Sequence, residues 1–224
     1  MKFKLGIDGM MTMLLIIAMS STITGITWHI IIGISLCMLI IVHNILNRRW
    51  YKSIHKGKHT AFRNLSTGVN MLFLAAMTVL FVSAAFISLG GSFFMRQIHV
   101  LSAYWGFILM SVHIGMHGRM IVLIAGKTFG RIDSSRICTI TMRSIALCIA
   151  AYGVMSSFDR NMGSKLIMYY SFDTINADES ALSILAAYLS IMGVYIIGTY
   201  YVLMLIRTVT RSNLSKYFLR VIEK

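Results

Sequence analysis

Residues 29–43 read HIIIGISLCMLIIVH, and residues 99–113 read HVLSAYWGFILMSVH. Each stretch is apolar and bounded by histidines fourteen residues apart. On a helix rising about 1.5 Å per residue, that spacing covers about 21 Å. At about 100° per residue it falls about 40° short of four full turns, so both imidazoles of a stretch point to nearly the same side. Two such helices can face each other and hold two flat ligands, one above the other.

The surrounding sequence says what solvent these helices meet. Of the 224 residues, 57% are hydrophobic and 12% charged, and there is no proline. Apolar runs near the length a helix needs to cross about 30 Å of hydrocarbon recur along the whole chain. The strict apolar–polar alternation of a β-barrel is missing. The expected fold is all-α, a polytopic membrane helix bundle forming a single domain over 1–224. It has about six transmembrane helices, near 1–25, 28–47, 66–89, 98–124, 139–157 and 181–206. The first run, with Lys2 and Lys4 ahead of MMTMLLIIAM, resembles a signal peptide. It lacks a small-x-small cleavage site and carries Asp8 early, so it is expected to stay as helix one. Asp8 itself is expected at the interface, paired with a nearby lysine. The segment KLIMYYSF (165–172) reads as a short interfacial element.

Charge orients the bundle. The N-terminus, the second and fourth loops and the C-terminal tail hold eighteen of the 21 basic residues. Arg96, Arg160 and Lys165 fall on the opposite side, with four of the seven acids, Asp159, Asp173, Asp178 and Glu179. The positive-inside rule places both termini in the cytoplasm of a cell membrane. The same asymmetry accounts for the net charge of +14 through anionic lipid headgroups, so no nucleic-acid partner is needed. Cys37, Cys138 and Cys148 stand apart. They form neither a zinc pattern nor the CxxCH of covalent haem attachment, and read as small apolar packing residues.

Helices two and four run in the same direction, because one helix separates them. His29 and His99 therefore share a depth near the outer surface, and His43 and His113 share one about four turns deeper. Neutral imidazole is a good axial ligand for haem iron, and two imidazoles fill both axial positions, which leaves one-electron transfer as the expected work. The expected cofactors are two non-covalent b-type haems, with quinone as a further candidate ligand. His117 lies one turn past His113 and faces the same side. It could replace His113, or bond a propionate or a quinone. Arg96 near the outer site and Arg48 or Arg49 near the inner one could pair with propionates, or simply anchor the interface. Gly33, Gly106 and Gly115 could admit porphyrin edges, or simply pack helices. His55 and His59 read as surface residues of the basic loop. Interhelical hydrogen bonding is the plainer use of membrane histidines, and a metal or proton transporter is the competing function.

Four stretches carry a resemblance: HIIIGISLCMLIIVHNILNRRWYKSIHKGKH, RQIHVLSAYWGFILMSVHIGMH, MKFKLGIDGMMTMLL and SKLIMYYSFD. Together they resemble the bacterial flavinylation-associated cytochrome family, and more distantly di-haem cytochrome b and ferric-reductase-like membrane domains. The resemblance implies a b-type cytochrome with His29, His43, His99 and His113 as ligands. It would pass electrons across the membrane toward extracytoplasmic protein carrying covalent flavin. The chain shows no flavin-binding domain, so that partner is expected to be a separate protein, with the loop between helices five and six as part of its docking face. Ile30 stands where the resemblance leads one to expect an acid. A haem-bearing anchor subunit of a quinone-linked dehydrogenase or reductase is the alternative within redox chemistry.

Overall fold

The computed structural model describes residues 2–54, 56, 60–118, 120, 136–169 and 179–222, and those residues are all-helical apart from turns. The helices are α1 (Lys2–Met19), α2 (Ser21–Leu46), α3 (Arg48–Ser53), α4 (Ala61–Ser88), α5 (Phe93–Met116), α6 (Arg136–Asp159), α7 (Met162–Leu166) and α8 (Ala181–Ile222). Five segments are long and apolar enough to cross a bilayer: Ser21–Leu46, Ala61–Ser88, Phe93–Met116, Ile140–Asp159 and Ala181–Val209. The first expected span corresponds to α1, which is 18 residues long and carries Lys2, Lys4 and Asp8.

The long helices pair as antiparallel hairpins, and local chemistry makes each reversal. Gly25, at φ +72° and ψ 168°, breaks the helix between α1 and the long arm of α2. A side chain there would strain the backbone. Lys4 then meets the Leu46 carbonyl at 2.9 Å and the Asn47 side chain at 3.0 Å, at the far end of the hairpin. Between α4 and α5 the chain turns on Gly90, at φ +88°. The Gly90 and Gly91 amides donate back to the Ile87 and Phe86 carbonyls at 3.1 and 2.9 Å, which closes α4 as a Schellman motif. Thr60 caps the start of α4 by accepting from the Arg63 amide at 3.3 Å.

Helix α5 lies at the centre, packed on α4 and α8, with Phe107 fully buried. Small residues set the close approaches. A Cβ on Gly115 would lie 2.8 Å from the Ile196 carbonyl oxygen of α8, and one on Gly106 would lie 3.0 Å from the Met77 sulfur of α4. Gly153 does the same for α6 against Ser190 of α8. Lipid tails are as apolar as leucine, so close backbone packing rather than hydrophobic exclusion joins such helices. Ile30, Ile34, Met38 and Ile41 of α2 and Leu72, Val79 and Phe86 of α4 face outward, as lipid-facing positions do. Serines within the spans return their hydroxyls to the preceding turn, as Ser102 does to Ile98 and Ser111 to Phe107. No water is needed to satisfy them.

Several boundaries differ from expectation. Helix α5 is interrupted at His117, its C-cap at φ −92° and ψ 4°, with Gly118 and Met120 again helical, and the expected end near 124 lies outside the described residues. Residues 121–135 lie outside the described residues, as do His55, His59 and the last three residues, 170–172, of the interfacial segment. Of the described part, Lys165 and Leu166 end the short helix α7, which packs against α5, and residues 167–169 follow outside it.

Candidate functional site: the histidine-bearing face of α2 and α5

Helix α2 packs on α1 and α3, while α5 packs on α4, α7, α8 and α1. The two histidine-bearing helices are not in close backbone contact, and they meet through the rings of His29 and His99. Those rings lie 6.2 Å apart between centroids, at an interplanar angle of 76°. The Nδ1 atom of His29 is buried and has no hydrogen-bond partner among the described residues.

The tautomer of His99 follows from its neighbours. Its Nδ1 lies 3.2 Å from the Leu80 carbonyl oxygen and 3.3 Å from Ser83 Oγ, and the Ser83 hydroxyl donates to that same carbonyl at 2.8 Å. Both neighbours can therefore only accept from His99. The proton sits on Nδ1, and Nε2 keeps its lone pair. The Schellman turn at Gly90 sets this register of α5 against α4.

At the other end of the helices, His113 Nδ1 donates to Asn70 Oδ1 at 2.7 Å, so its Nε2 is likewise a lone-pair donor. Phe73 stacks on its ring, with centroids 6.4 Å apart at 22°. His43 Nδ1 donates to Asp8 Oδ1 at 2.7 Å, and its Nε2 accepts from Asn47 Nδ2 at 3.2 Å. Asp8 was expected beside a lysine. It reaches His43 instead, because the α1–α2 hairpin brings residue 8 level with residue 43, and Lys4 is engaged one turn away by Leu46 and Asn47. Among the described residues no ring contact joins His43 to His113. The ring beside His113 is that of His117, with centroids 4.9 Å apart.

Two imidazoles on one iron need about 2.0–2.1 Å per metal–nitrogen bond plus about 1.1 Å from nitrogen to ring centre, which sets trans centroids about 6.3 Å apart. The separation of His29 and His99 meets that requirement. Metal-bound histidines typically donate their second ring nitrogen to a carbonyl or carboxylate, which fixes tautomer and ring orientation. His99, His113 and His43 all do so, through Leu80, Asn70 and Asp8. At the His29 end, the two imidazoles of His29 and His99 would be the residues to hold a haem iron. At the His43 end, both ring nitrogens of His43 are hydrogen-bonded, to Asp8 and Asn47, and among the described residues only His117 lies against the ring of His113. Among the described residues, no three His, Cys, Asp or Glu side chains converge as a porphyrin-free metal site would require.

The remaining predicted residues divide. Arg96 is exposed one turn before His99, at the N-terminal end of the same helix. Arg48 and Arg49 are both exposed at the other end. Arg48 edges an apolar groove of about 610 Å³ between α2 and α4, together with Asn44, Tyr51 and Phe81. Gly33 faces open space one turn from His29, whereas Gly106 and Gly115 meet Met77 and Ile196, the helix-packing use of glycine. Sequence reasoning missed Ser83, Asn70 and Asn47. A lone asparagine inside the apolar run VNMLFLAAM was the available signal, since polar groups in a span are expensive without a partner. It also missed Lys165, which is buried and donates to Tyr104 Oη at 3.0 Å, beside Tyr188 Oη at 3.2 Å. Arg160 pairs with Glu179 at 2.5 Å, so part of the expected docking loop is internally neutralised.

The chain matches no family profile, no curated protein and no solved structure.

Proposed function

We propose that this protein is a transmembrane b-type cytochrome of the flavinylation-associated kind, with six membrane-crossing helices and both termini in the cytoplasm. Helix α1 is the sixth span in this reading: it returns antiparallel along α2, and its charges lie within two turns of the end that carries most of the basic residues. When bound, a pair of haems supplies one-electron transfer. His29 and His99 would hold the outer group, and His43 and His113 the inner one. Leu80 and Ser83 fix the His99 ring, and Asn70 and Phe73 fix that of His113. His117, capping α5, closes the inner site toward the cytoplasm. Arg96 would meet an acidic substituent at the outer surface, and Arg48 or Arg49 one at the inner surface. Electrons would pass from a cytoplasmic or quinol donor toward a separate extracytoplasmic partner carrying flavin.

The single observation that carries the reading is the His29–His99 pair. Its centroid distance suits one shared iron, one ring is anchored through Nδ1, and the other holds a buried nitrogen without a partner among the described residues. The function is tested in sealed vesicles that contain purified protein and enclose ferricyanide. Dithionite added outside should bleach the enclosed ferricyanide many times faster than in protein-free vesicles. Bleaching at the leak rate alone would overturn the proposal.

The Asp8–His43 contact favours one second reading, a proton carrier, since acid–imidazole pairs within a membrane serve proton relays. The two readings part on colour: a proton carrier needs no chromophore.

A further inference from the structure

We infer that the groove between α2 and α4 is a binding site for one anionic phospholipid, with an acyl chain laid between the helices and the phosphate at Arg48. Helix α2 packs on α1 and α4 packs on α5, so the two do not close on each other and leave about 610 Å³ between them. One wall carries Cys37, Ile41 and Ile45, and the other Leu74, Thr78 and Val82, three successive turns on each helix. At a rise of about 1.5 Å per residue that apolar length is about 12 Å, and Arg48 edges the groove about one turn further on. The total, about 16 Å, is close to half of a hydrocarbon core about 30 Å thick, which is the depth of one leaflet's chains.

The polar groups along the groove are already engaged within the protein. Thr78 Oγ donates to the Leu74 carbonyl at 2.8 Å, Asn44 Nδ2 donates to the Ile40 carbonyl at 2.8 Å, and Asn44 Oδ1 accepts from the Tyr51 hydroxyl. The walls therefore suit an apolar chain better than a hydrogen-bonding ring such as a quinone. Arg48 is the exception: it is exposed and makes no ion pair among the described residues. The bond from Tyr51 to Asn44 ties α3 back to α2 and so keeps Arg48 at the mouth. Arg49, Lys52 and Lys56 are exposed close by in the chain, and such a cluster draws anionic headgroups. Trp50 and Tyr51, edge-to-face on the same turn, are the residue types that settle at a membrane interface, which sets the mouth at headgroup level. A guanidinium can meet a phosphate through two parallel hydrogen bonds. No histidine lines the groove, so the lipid site stands independently of any bound haem.

The test uses full-length protein, delipidated in detergent and mixed with phosphatidylglycerol or phosphatidylcholine of the same chains, with bound lipid counted by native mass spectrometry. One phosphatidylglycerol should be held at least about fivefold more tightly than phosphatidylcholine, the effect of one basic residue beside anionic lipid. Arg48→Gln should abolish that preference, whereas Arg49→Gln, next to the groove but not lining it, should keep it. Thr78→Trp, which fills the groove, should lose tight binding of both lipids. Should Thr78→Trp fail to accumulate, the two arginine variants decide alone. A phosphatidylglycerol with a photoreactive chain end should cross-link near Cys37 and Val82. Equal retention of the two lipids, equal losses from Arg48→Gln and Arg49→Gln, or cross-links confined to other helices would overturn the inference. So would preferential retention of a quinone, displacement of the lipid by inorganic phosphate, or a dimer that closes the groove in lipid-free protein.

Discussion

The two ends of the α2–α5 face are built differently from the same fourteen-residue spacing. At the end that carries the Gly90 turn, His29 and His99 meet directly, and among the described residues α4 anchors only His99. At the end that carries the basic cluster after Asn47, His43 and His113 are each anchored on a different helix, Asp8 of α1 and Asn70 of α4, and among the described residues no ring contact joins them. The contrast teaches that spacing on one helix sets depth, whereas the neighbouring helix sets where each ring points. It also separates two kinds of support. Neutral acceptors on α4 serve the α5 histidines, and a charged acceptor on α1 serves His43 of α2.

The comparison can be broken most forcefully at the ligands. His99→Ala, and separately His29→Ala, should remove one haem of two and abolish electron transfer across vesicles, with the inner haem spectrum unchanged. Loss of both haems from either variant would mean that the two ends are not separate sites. The next largest effect separates His113 from its neighbour. His113→Ala should lose the inner haem, and His117→Ala should keep two haems, because His117 caps the helix while His113 carries the Asn70 anchor. The reverse pattern in a haem assay would reassign the ligand. A graded effect follows from the anchors. Asn70→Leu should weaken inner haem binding about 10–100-fold. Ser83→Ala should weaken outer binding by less, since the Leu80 carbonyl still takes the His99 proton. Competition by apomyoglobin for haem would rank the two, and equal losses would contradict the division of labour. The smallest effect on the sites should come from Gly115→Val. It should cost about 1–3 kcal/mol of stability by overpacking against Ile196 and leave both haem spectra in place. A shifted spectrum would return Gly115 to the porphyrin edge.

Much of this arrangement was legible in the sequence, and for identifiable reasons. Hydropathy and length located the five long apolar spans, because hydrocarbon admits little else. The run 28–47 was found nearly to its ends, since Gly25 and the basic cluster after Asn47 bound it on both sides. The parallel direction of α2 and α5, and hence the matched depth of the histidines, follows from counting helices. What was not legible depends on register between helices. The meeting of Asp8 and His43 is fixed by the hairpin at Gly25, and no local pattern encodes it. Asn70 could be flagged as a polar residue in a span but not matched to His113. The break at His117 was not legible, because apolar residues resume past it and the hydropathy pattern runs straight through. Glycines on one helix looked alike until their neighbours separated Gly33, which faces open space, from Gly115, which packs on α8.

The central claim is that paired imidazoles on α2 and α5 hold haem, and pyridine haemochrome analysis of the purified chain tests it most directly. Two b-type haems per chain in wild type, falling to one in His99→Ala, is the predicted result. Protein that is well folded by circular dichroism yet carries no haem would contradict it.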